Sequence, residues 1–279
     1  MKLGTWLKEA QQQTSRLSKT GSLDIQVLIS SVLRKPRSWV LAHPEYELSI
    51  MEISQLGEMF SELKRSIPLA YITGTSHFYG LQFYTNSNVL IPRPETEMLV
   101  ENASVWVRDH NFAGIILDVG TGSGCIAISL AVNLPEIKCI AIDKSITALQ
   151  VAKRNAGNNH VEKQCSFVQS DLTSSFFGKF QLICANLPYI PTNKLKDLPV
   201  ARYEPKAALD GGKDGLDLIH RLLADSIHIA DSKVCLLLEI EADQGDAVRK
   251  LAQTYYPDAE VNIKRDLAGN DRLLVIERY

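Results

Sequence analysis

Long apolar runs are missing from this sequence of 279 residues. No stretch of about 18 consecutive apolar residues occurs, and this argues against a membrane-spanning helix. The first ten residues mix polar and apolar types and lack the continuous apolar segment of a signal peptide. We therefore expect a cytoplasmic protein that does not engage a membrane.

Cysteines are few, and the charges of the two signs nearly balance. The five cysteines are scattered and form no Cys-x-x-Cys pair, so neither a metal site nor a disulfide framework is expected. The chain has 30 Lys and Arg against 32 Asp and Glu, a formal net charge of −2. Proteins that hold nucleic acid mainly by charge carry a basic excess, so we expect no direct sequence-specific nucleic acid binding.

Residues 1–67 predict a small all-helical domain. Apolar residues recur there at the i, i+3, i+4 and i+7 positions of a helical face, first between Leu3 and Ala10. Ser22 is the expected cap of one helix, and Ser49 and Glu52 have the spacing of a capping box before another. No residue in this region has a catalytic pattern, so we expect a packing or docking domain.

The residue pattern of the chain changes at residue 68 and again at residue 95. Residues 68–94 are rich in aromatic residues and glycines, which predicts a β-hairpin linker. From 95 to 279, apolar strand patterns alternate with helical patterns, which predicts an α/β fold with a doubly wound, mostly parallel sheet. The predicted strands are Ile115–Val119, Lys138–Ile142, Ser166–Gln169, Gln181–Ala185, Val234–Ile240 and Leu273–Ile276.

The first of these strands runs directly into a glycine-rich turn. Its Gly-x-Gly-x-Gly spacing differs from the Gly-x-Gly-x-x-Gly of a dinucleotide site, which argues against a nicotinamide oxidoreductase. Open α/β sheets bind ligands at the carboxyl ends of their strands, so a ligand site is predicted at this turn. The turn consists of Gly120, Thr121, Gly122, Ser123 and Gly124.

Acidic residues stand at successive strand ends around this turn. Asp118 precedes it, where an acid repels a pyrophosphate and attracts an ammonium group. Asp143 ends the next strand and can accept hydrogen bonds from two ribose hydroxyls. Asp171 and Leu172 follow the third strand, where they can receive the amine of adenine and cover its ring. The set predicts a site for a cationic nucleoside with an amino-acid tail, such as S-adenosylmethionine.

The fourth strand ends in Asn186, Leu187, Pro188 and Tyr189. Asn186 offers a carbonyl oxygen and an amide group at one point, and Tyr189 offers a flat ring to a planar group. Pro188 favours an extended backbone at Leu187. A strand end followed by a proline turn is common, so these four residues alone do not specify a substrate.

The order of these motifs resembles class I methyltransferases that modify planar nitrogens. Further segments resemble the PrmC/HemK family of protein-glutamine N5-methyltransferases, and the resemblance covers nearly the whole chain. Members methylate the glutamine of the Gly-Gly-Gln loop in bacterial-type class I peptide-chain release factors. The segments are Pro68–Gly74, Phe78–Gly80, Val89–Glu97, Glu204–Gly212, Asp214–Leu216, Asp266–Gly269 and Asp271–Arg272.

The resemblance implies a role for each motif. The glycine turn and Asp143 would bind S-adenosylmethionine, whose product is S-adenosylhomocysteine, and Asp171 and Leu172 would lie at its adenine. Asn186 would contact both donor and glutamine, and Asn186 to Tyr189 would hold the glutamine side chain. The N-terminal helices would dock the release factor. Leu187 replaces a proline of the usual Asn-Pro-Pro-Tyr, which keeps the backbone carbonyl but loses the fixed φ.

The sequence does not decide the roles of several charged residues, and it leaves two other functions possible. Arg93, Glu95 and Glu97 are expected to brace the joint between the domains with some contact to the donor pocket, and Glu239 to give structural support. An N6-adenine methyltransferase would use the same corner on a flipped base, although the net charge of −2 speaks against it. A non-catalytic module that binds release factors would dock without binding the donor.

Overall fold

The chain divides into two compact units, Met1–Thr75 and Ser76–Tyr279. No helix in the part of the chain that the structure covers is both long and apolar enough to cross a membrane. Residues 15–19 of the predicted helical domain lie outside the described residues. The structure is a computed structural model that describes residues 1–14, 20–174 and 176–279.

Short helices make up the first unit, as the periodic apolar pattern predicts. Their shared core includes Leu28 and Leu56, and the rings of Trp6 and Phe60 meet edge-on with centroids 5.8 Å apart. The helices are α1 (Leu3–Thr14), α2 (Gly21–Leu33), α3 (Arg37–Ala42), α4 (Ile50–Lys64) and α5 (Leu69–Thr73).

The starts of two helices test the capping predictions. Ser49 and Glu52 form the predicted capping box before α4: the Glu52 amide donates to Ser49 Oγ at 3.3 Å, and the Ser49 amide donates to Glu52 Oε2 at 2.7 Å. The predicted cap at Ser22 is wrong. Helix α2 begins one residue before Ser22, at Gly21, and Thr20 occupies the N-cap position.

The predicted hairpin is present between residues 75 and 84. Strands β1 (Thr75–Phe78) and β2 (Leu81–Tyr84) form a two-stranded sheet. Tyr79 and Gly80 join them with φ values of 49° and 75°, a pair of positive values that is typical of a tight hairpin turn.

Strands and helices alternate through the rest of the second unit. Short 3₁₀ turns occupy Pro94–Thr96, Pro199–Arg202, Lys206–Ala208 and Ala242–Gln244. The helices and strands are α6 (Glu97–Asp109), β3 (Ile115–Val119), α7 (Cys125–Asn133), β4 (Lys138–Asp143), α8 (Ile146–Asn158), β5 (Cys165–Gln169), β6 (Phe180–Ala185), α9 (Thr192–Leu195), α10 (Asp217–Ser226), β7 (Ala230–Glu239), α11 (Gly245–Tyr255), β8 (Glu260–Arg265) and β9 (Asp271–Arg278).

A seven-stranded sheet lies at the centre of this unit, with the strand order β5-β4-β3-β6-β7-β9-β8. Neighbouring strands from β5 to β7 are parallel, and β9 is antiparallel to β7 and β8. The carboxyl ends of β3, β4, β5 and β6 therefore lie at one edge of the sheet, where the sequence predicts the ligand site.

Side chains divide between two cores because successive residues of a strand point to opposite faces. On β3, Ile116 belongs to one core and Leu117 to the other, and Leu182 and Ile183 on β6 divide in the same way. Residues of α6 and α7 pack in the first core, and residues of α10 and α11 pack in the second. The predicted doubly wound, mostly parallel α/β fold is confirmed.

One strand of the sheet is absent from the predicted set. Strand β8 lies at the sheet edge, and four of its six residues are exposed. Only Val261 and Ile263 pack against the core from this strand, so its apolar signal is too short to distinguish it from a loop.

Candidate active site

A cavity of about 470 Å³ opens at the carboxyl ends of the parallel strands, within the size range of small-molecule sites. Most of the predicted site residues line it, and they come from four different strand ends. Gly124 and Tyr189 are not among its lining residues. The predicted residues that line it are Gly120, Thr121, Gly122, Ser123, Asp143, Asp171, Leu172, Asn186, Leu187 and Pro188.

Backbone hydrogen bonds fasten the glycine turn to its surroundings. The amides of Gly120 and Thr121 both donate to the carbonyl oxygen of Ile142 at 2.9 Å, which ties the turn to β4. The buried side chain of Asn155 on α8 donates to the carbonyl of Ser123 at 2.9 Å. The turn is therefore a fixed wall of the cavity.

Asp143 connects the glycine turn to the start of α8. Its Oδ2 accepts from the Gly122 amide at 2.9 Å, and its Oδ1 accepts from the Ser145 amide at 2.8 Å. Burial raises the pKa of Asp143, and the backbone donors of Ser145 and Gly122 partly oppose that rise. Each oxygen of a carboxylate can accept a further hydrogen bond, so the side chain keeps acceptor capacity toward the cavity.

The third strand end carries one buried and one exposed residue. Leu172 is buried with a φ of 54°, and its carbonyl accepts from Ser170 Oγ at 2.7 Å. Asp171 is exposed, and its Oδ2 lies 3.1 Å from Arg221 Nη2 and 3.7 Å from Lys144 Nζ. Arg221 and Lys144 also line the cavity, and the sequence reasoning missed both of them.

Asn186 is held by two residues that the sequence reasoning did not place at the site. Its Nδ2 donates to Thr96 Oγ1 at 2.9 Å and to Glu239 Oε2 at 3.0 Å. Tyr189 donates its hydroxyl proton to the other oxygen of Glu239, Oε1, at 3.3 Å. Within the described residues, Asn186 Oδ1 has no hydrogen-bond partner. Glu239 is the last residue of β7, which lies beside β6. Because ligands bind at the carboxyl ends of parallel strands, this position could have indicated Glu239 as a site residue.

Burial dominates the electrostatics of Glu239, whose residue is only 2% exposed. Desolvation raises its pKa to about 7, and the Thr96 hydroxyl, the Arg272 charge and the Tyr189 hydroxyl oppose the rise. The negative charge of Glu95 adds to it. The carboxyl group therefore changes protonation near neutral pH.

The segment that follows Tyr189 is fixed by the glycine-rich run near residue 211. The Ile190 amide donates to the Leu209 carbonyl at 3.1 Å, and the Gly211 amide donates to the Ile190 carbonyl at 2.8 Å. Gln244 Nε2 donates to the Tyr189 carbonyl at 3.1 Å. These bonds tie the backbone after the Asn-Leu-Pro-Tyr corner to the segment 209–211 and to the 3₁₀ turn Ala242–Gln244.

Leu187 also contributes its side chain to the protein interior. It is 4% exposed and belongs to the second core of the sheet. A methyl group placed on Gly120 would lie 2.9 Å from Leu187 Cδ2. The leucine thus fills the space beside the first glycine of the turn.

The charged residues around the Arg-Pro-Glu-Thr-Glu run brace the second unit. Arg93 pairs with the buried Glu204, which also accepts from the Ile91 amide at 3.1 Å. Glu97 Oε1 accepts from the Tyr79 amide at 2.7 Å. Arg93 lines the cavity, whereas Glu95 and Glu97 are not among its lining residues.

Asp118 lies behind the cavity, and the structure does not bring it to the lining. Its carboxylate is fully buried, with Oδ2 accepting from Thr121 Oγ1 at 2.6 Å and from the Ala127 amide at 3.2 Å. Desolvation raises its pKa to about 7. A direct contact with an ammonium group of a ligand is therefore not available to it.

Residues 1–14, 20–174 and 176–279 contain no group of three or more His, Cys, Asp or Glu side chains arranged to hold a metal ion. The expectation of a metal-free reaction stays a prediction.

Two protein families match the chain in the two units. The PrmC N-terminal domain matches residues 5–74, and the methyltransferase small domain matches residues 94–202. The second match includes the glycine turn and the Asn-Leu-Pro-Tyr corner.

Solved structures share the fold at low sequence identity. A methyltransferase from Pyrococcus furiosus has a TM-score of 0.53 at 16% identity, with 77% of this chain and 98% of that chain covered. A human methyltransferase 10 domain containing protein has a TM-score of 0.50 at 15% identity, with 81% and 97% covered.

Full-length relatives are more similar in sequence. The release factor glutamine methyltransferase of Coxiella burnetii is 35% identical, with 97% of each chain covered. That of Bacillus anthracis is 32% identical over 98% of this chain and 96% of its own. That of Moorella thermoacetica is 37% identical over 92% and 91%. The chain belongs to the release factor glutamine methyltransferase family.

Proposed function

We propose that this protein transfers a methyl group from S-adenosylmethionine to the side-chain amide nitrogen of a glutamine. The substrate is the glutamine of the Gly-Gly-Gln loop in bacterial-type class I peptide-chain release factors. The observation that carries the proposal is Asn186, which uses its amide nitrogen on Thr96 and Glu239 and leaves its oxygen for a substrate N–H. The relatives' names favour glutamine over adenine as the acceptor.

The cavity suits the methyl donor. Asp143 has acceptor capacity left for ribose hydroxyls, the Gly120–Gly124 turn offers close backbone approach, and buried Leu172 offers an apolar surface to a ring. Asp171 stands at the same end, although its carboxylate is shared with Arg221 and Lys144. When bound, the donor supplies a methyl group on a positively charged sulfur, which is already activated for transfer.

Placement is the main task of the acceptor residues, because a glutamine nitrogen is a poor nucleophile whose lone pair is delocalised into its carbonyl. Asn186 Oδ1 and the Leu187 carbonyl would each accept one N–H of the amide, which fixes the direction of the nitrogen. Orientation of this kind lowers a barrier without a charged catalyst. A ring contact of Tyr189 with the glutamine stays a prediction, since Tyr189 lies outside the cavity lining.

The helical region, 1–67, is assigned to docking the release factor, 68–94 to a linker, and 95–279 to methyl transfer. A packing domain without catalytic residues fits a docking role, and the PrmC N-terminal domain match covers this region. The cytoplasmic location expected from the sequence follows from the substrate, because release factors work where proteins are synthesised.

The direct test incubates the protein with labelled S-adenosylmethionine and a purified release factor, followed by peptide mass mapping of the Gly-Gly-Gln loop. We expect one methyl group on the glutamine. Asn186→Ala should lose most of the transfer while it keeps most of its affinity for the donor, measured by calorimetry. Full turnover in Asn186→Ala, or label found on adenine of added RNA or DNA instead, would refute the proposal.

A further inference from the structure

We propose that Glu239, together with Thr96, sets the orientation of the Asn186 carboxamide and thereby makes the site select a carboxamide over a carboxylate. This inference rests on the proposed function and deepens it, by naming a residue that decides which side chain is accepted. Glu239 is a positioning residue, because it is not among the residues that line the cavity and acts on the substrate only through Asn186.

The first step is the direction of the Asn186 amide. Both hydrogens of Nδ2 are used, one on Thr96 Oγ1 at 2.9 Å and one on Glu239 Oε2 at 3.0 Å. An ionised carboxylate only accepts hydrogen bonds, so it requires the nitrogen of Asn186 on its side. The oxygen is then turned away from Glu239 and offers an acceptor to the substrate.

The second step is the rigidity of Glu239 itself. Strands β6 and β7 are parallel with Ala185 opposite Leu238, so their next residues, Asn186 and Glu239, are adjacent at the sheet edge. Tyr189 donates to Oε1 at 3.3 Å. One carboxylate oxygen is thus bonded to Asn186 and the other to Tyr189, which leaves the group little freedom to rotate.

The third step concerns charge. The pKa of Glu239 is raised to about 7 by burial, so the carboxyl is ionised above neutral pH and protonated below it. Once protonated, it can donate a hydrogen bond, and an inverted Asn186 amide with Oδ1 toward Glu239 becomes acceptable. The groups that face Glu239 are Thr96, Asn186, Tyr189, Arg272, Glu95 and Cys125.

Selectivity follows from the fixed amide. A glutamine side chain brings two N–H donors to the Asn186 oxygen and the Leu187 carbonyl. A glutamate in the same place would bring a carboxylate, which only accepts hydrogen bonds, against these two acceptor oxygens. Neither the carboxylate nor the two oxygens would then have a hydrogen-bond donor. Sites built to hydrogen-bond one group reject the mismatched analogue strongly for this reason.

The test measures turnover and selectivity in Glu239→Gln, which keeps the size of the side chain and removes the charge. The competing ligand is a release factor whose loop glutamine is replaced by glutamate. Glu260→Gln, at an exposed position of edge strand β8, is the matched control and should behave as the wild type. Circular dichroism and a thermal unfolding curve establish that each variant folds.

We expect Glu239→Gln to lower kcat by about tenfold, which corresponds to about 1.4 kcal/mol. The affinity for S-adenosylmethionine should stay within about twofold. The inhibition constant of the glutamate-containing factor should fall by about tenfold relative to the KM of the glutamine-containing factor. Unchanged selectivity in a folded Glu239→Gln protein would overturn the inference, whatever happens to kcat.

A second measurement uses only the wild type. The ratio of the glutamate factor's inhibition constant to the glutamine factor's KM should be larger at pH 8 than at pH 6. An equal ratio at both pH values would overturn the inference even if Glu239→Gln does not fold. If the wild type does not methylate the release factor at all, the proposed function has failed. Turnover by the wild type with unchanged selectivity in Glu239→Gln contradicts the Glu239 inference alone.

Discussion

The carboxylate of Asp143 accepts a hydrogen bond from the backbone amide of Gly122 at 2.9 Å, so the glycine turn after β3 and the end of β4 form one structure. The same carboxylate accepts from Ser145 at 2.8 Å. A residue predicted to bind the donor therefore also shapes the turn predicted to bind it.

Asp143→Asn tests this double role. An asparagine has a single acceptor atom, so it cannot accept from both Gly122 and Ser145 and keep an oxygen free for ribose. Loss of a hydrogen bond to a charged acceptor costs about 1.5–3 kcal/mol, so we expect the Kd for S-adenosylmethionine to rise at least about tenfold in calorimetry. Donor affinity equal to that of the wild type would contradict the assignment.

Gly122→Ala and Gly124→Ala form a matched pair. Both glycines have positive φ, 56° and 83°, and a Cβ there costs about 1–2 kcal/mol. A Cβ on Gly124 would also lie 2.7 Å from Ile128 Cδ1 and 3.1 Å from Ala152 Cβ, whereas one on Gly122 would meet only the Gly120 carbonyl at 4.0 Å.

We therefore expect Gly124→Ala to lose more unfolding free energy in urea titrations than Gly122→Ala. Gly122 lines the cavity and Gly124 does not. We therefore expect the ratio of lost donor affinity to lost unfolding free energy to be larger in Gly122→Ala than in Gly124→Ala. Equal unfolding free energies of the two variants would show that the side chains around Gly124 move to accommodate the added methyl group.

Leu187→Pro introduces the proline that the resemblance to Asn-Pro-Pro-Tyr implies at this position. In the described chain the Leu187 amide donates no hydrogen bond that a proline would remove, and the carbonyl that would accept the glutamine N–H is kept. We expect kcat equal to or above the wild type, together with a lower melting temperature, because the buried leucine side chain beside Gly120 is lost. A large loss of kcat would show that the local backbone differs from that of the family.

Asp118 should make stability depend on pH. Its native pKa of about 7 lies above the ordinary value of 3.8, so unfolding releases a proton between these values and the free energy of unfolding falls as pH rises from about 4 to 7. The full shift corresponds to roughly 4 kcal/mol. Asp118→Asn should reduce that slope in denaturant titrations at pH 5 and pH 8, while Asp258→Asn at an exposed position should leave it unchanged.

The fold was predictable where the chain repeats a strong pattern. Strand β3 matches its predicted bounds, Ile115–Val119, because it is an apolar segment bounded by glycines. Strand β8 was not predictable, because an edge strand buries too few side chains to leave a pattern. The residues around the turn and corner were predictable since parallel strands place their carboxyl ends at one sheet edge.

The partners of Asn186 were beyond that reasoning. Thr96 lies 90 positions before it and Glu239 lies 53 positions after it. Their approach depends on β7 pairing with β6 and on the 3₁₀ turn at Pro94–Thr96 packing over that edge. Arg221 and Lys144 at Asp171 are a similar case, because Arg221 comes from α10 and Lys144 from the turn between β4 and α8.

By itself the sequence determined the family, the alternation of strands and helices, and the chemical types at four strand ends, because each of these is written in local spacing. Only the tertiary structure decided which atoms those residues have left for a ligand. Hydrogen bonds between distant segments occupy the amide nitrogen of Asn186 and one oxygen of Asp143. The position of β3 between β4 and β6 buries Asp118 behind the cavity. Such pairing is a property of the strand order, which no local pattern encodes.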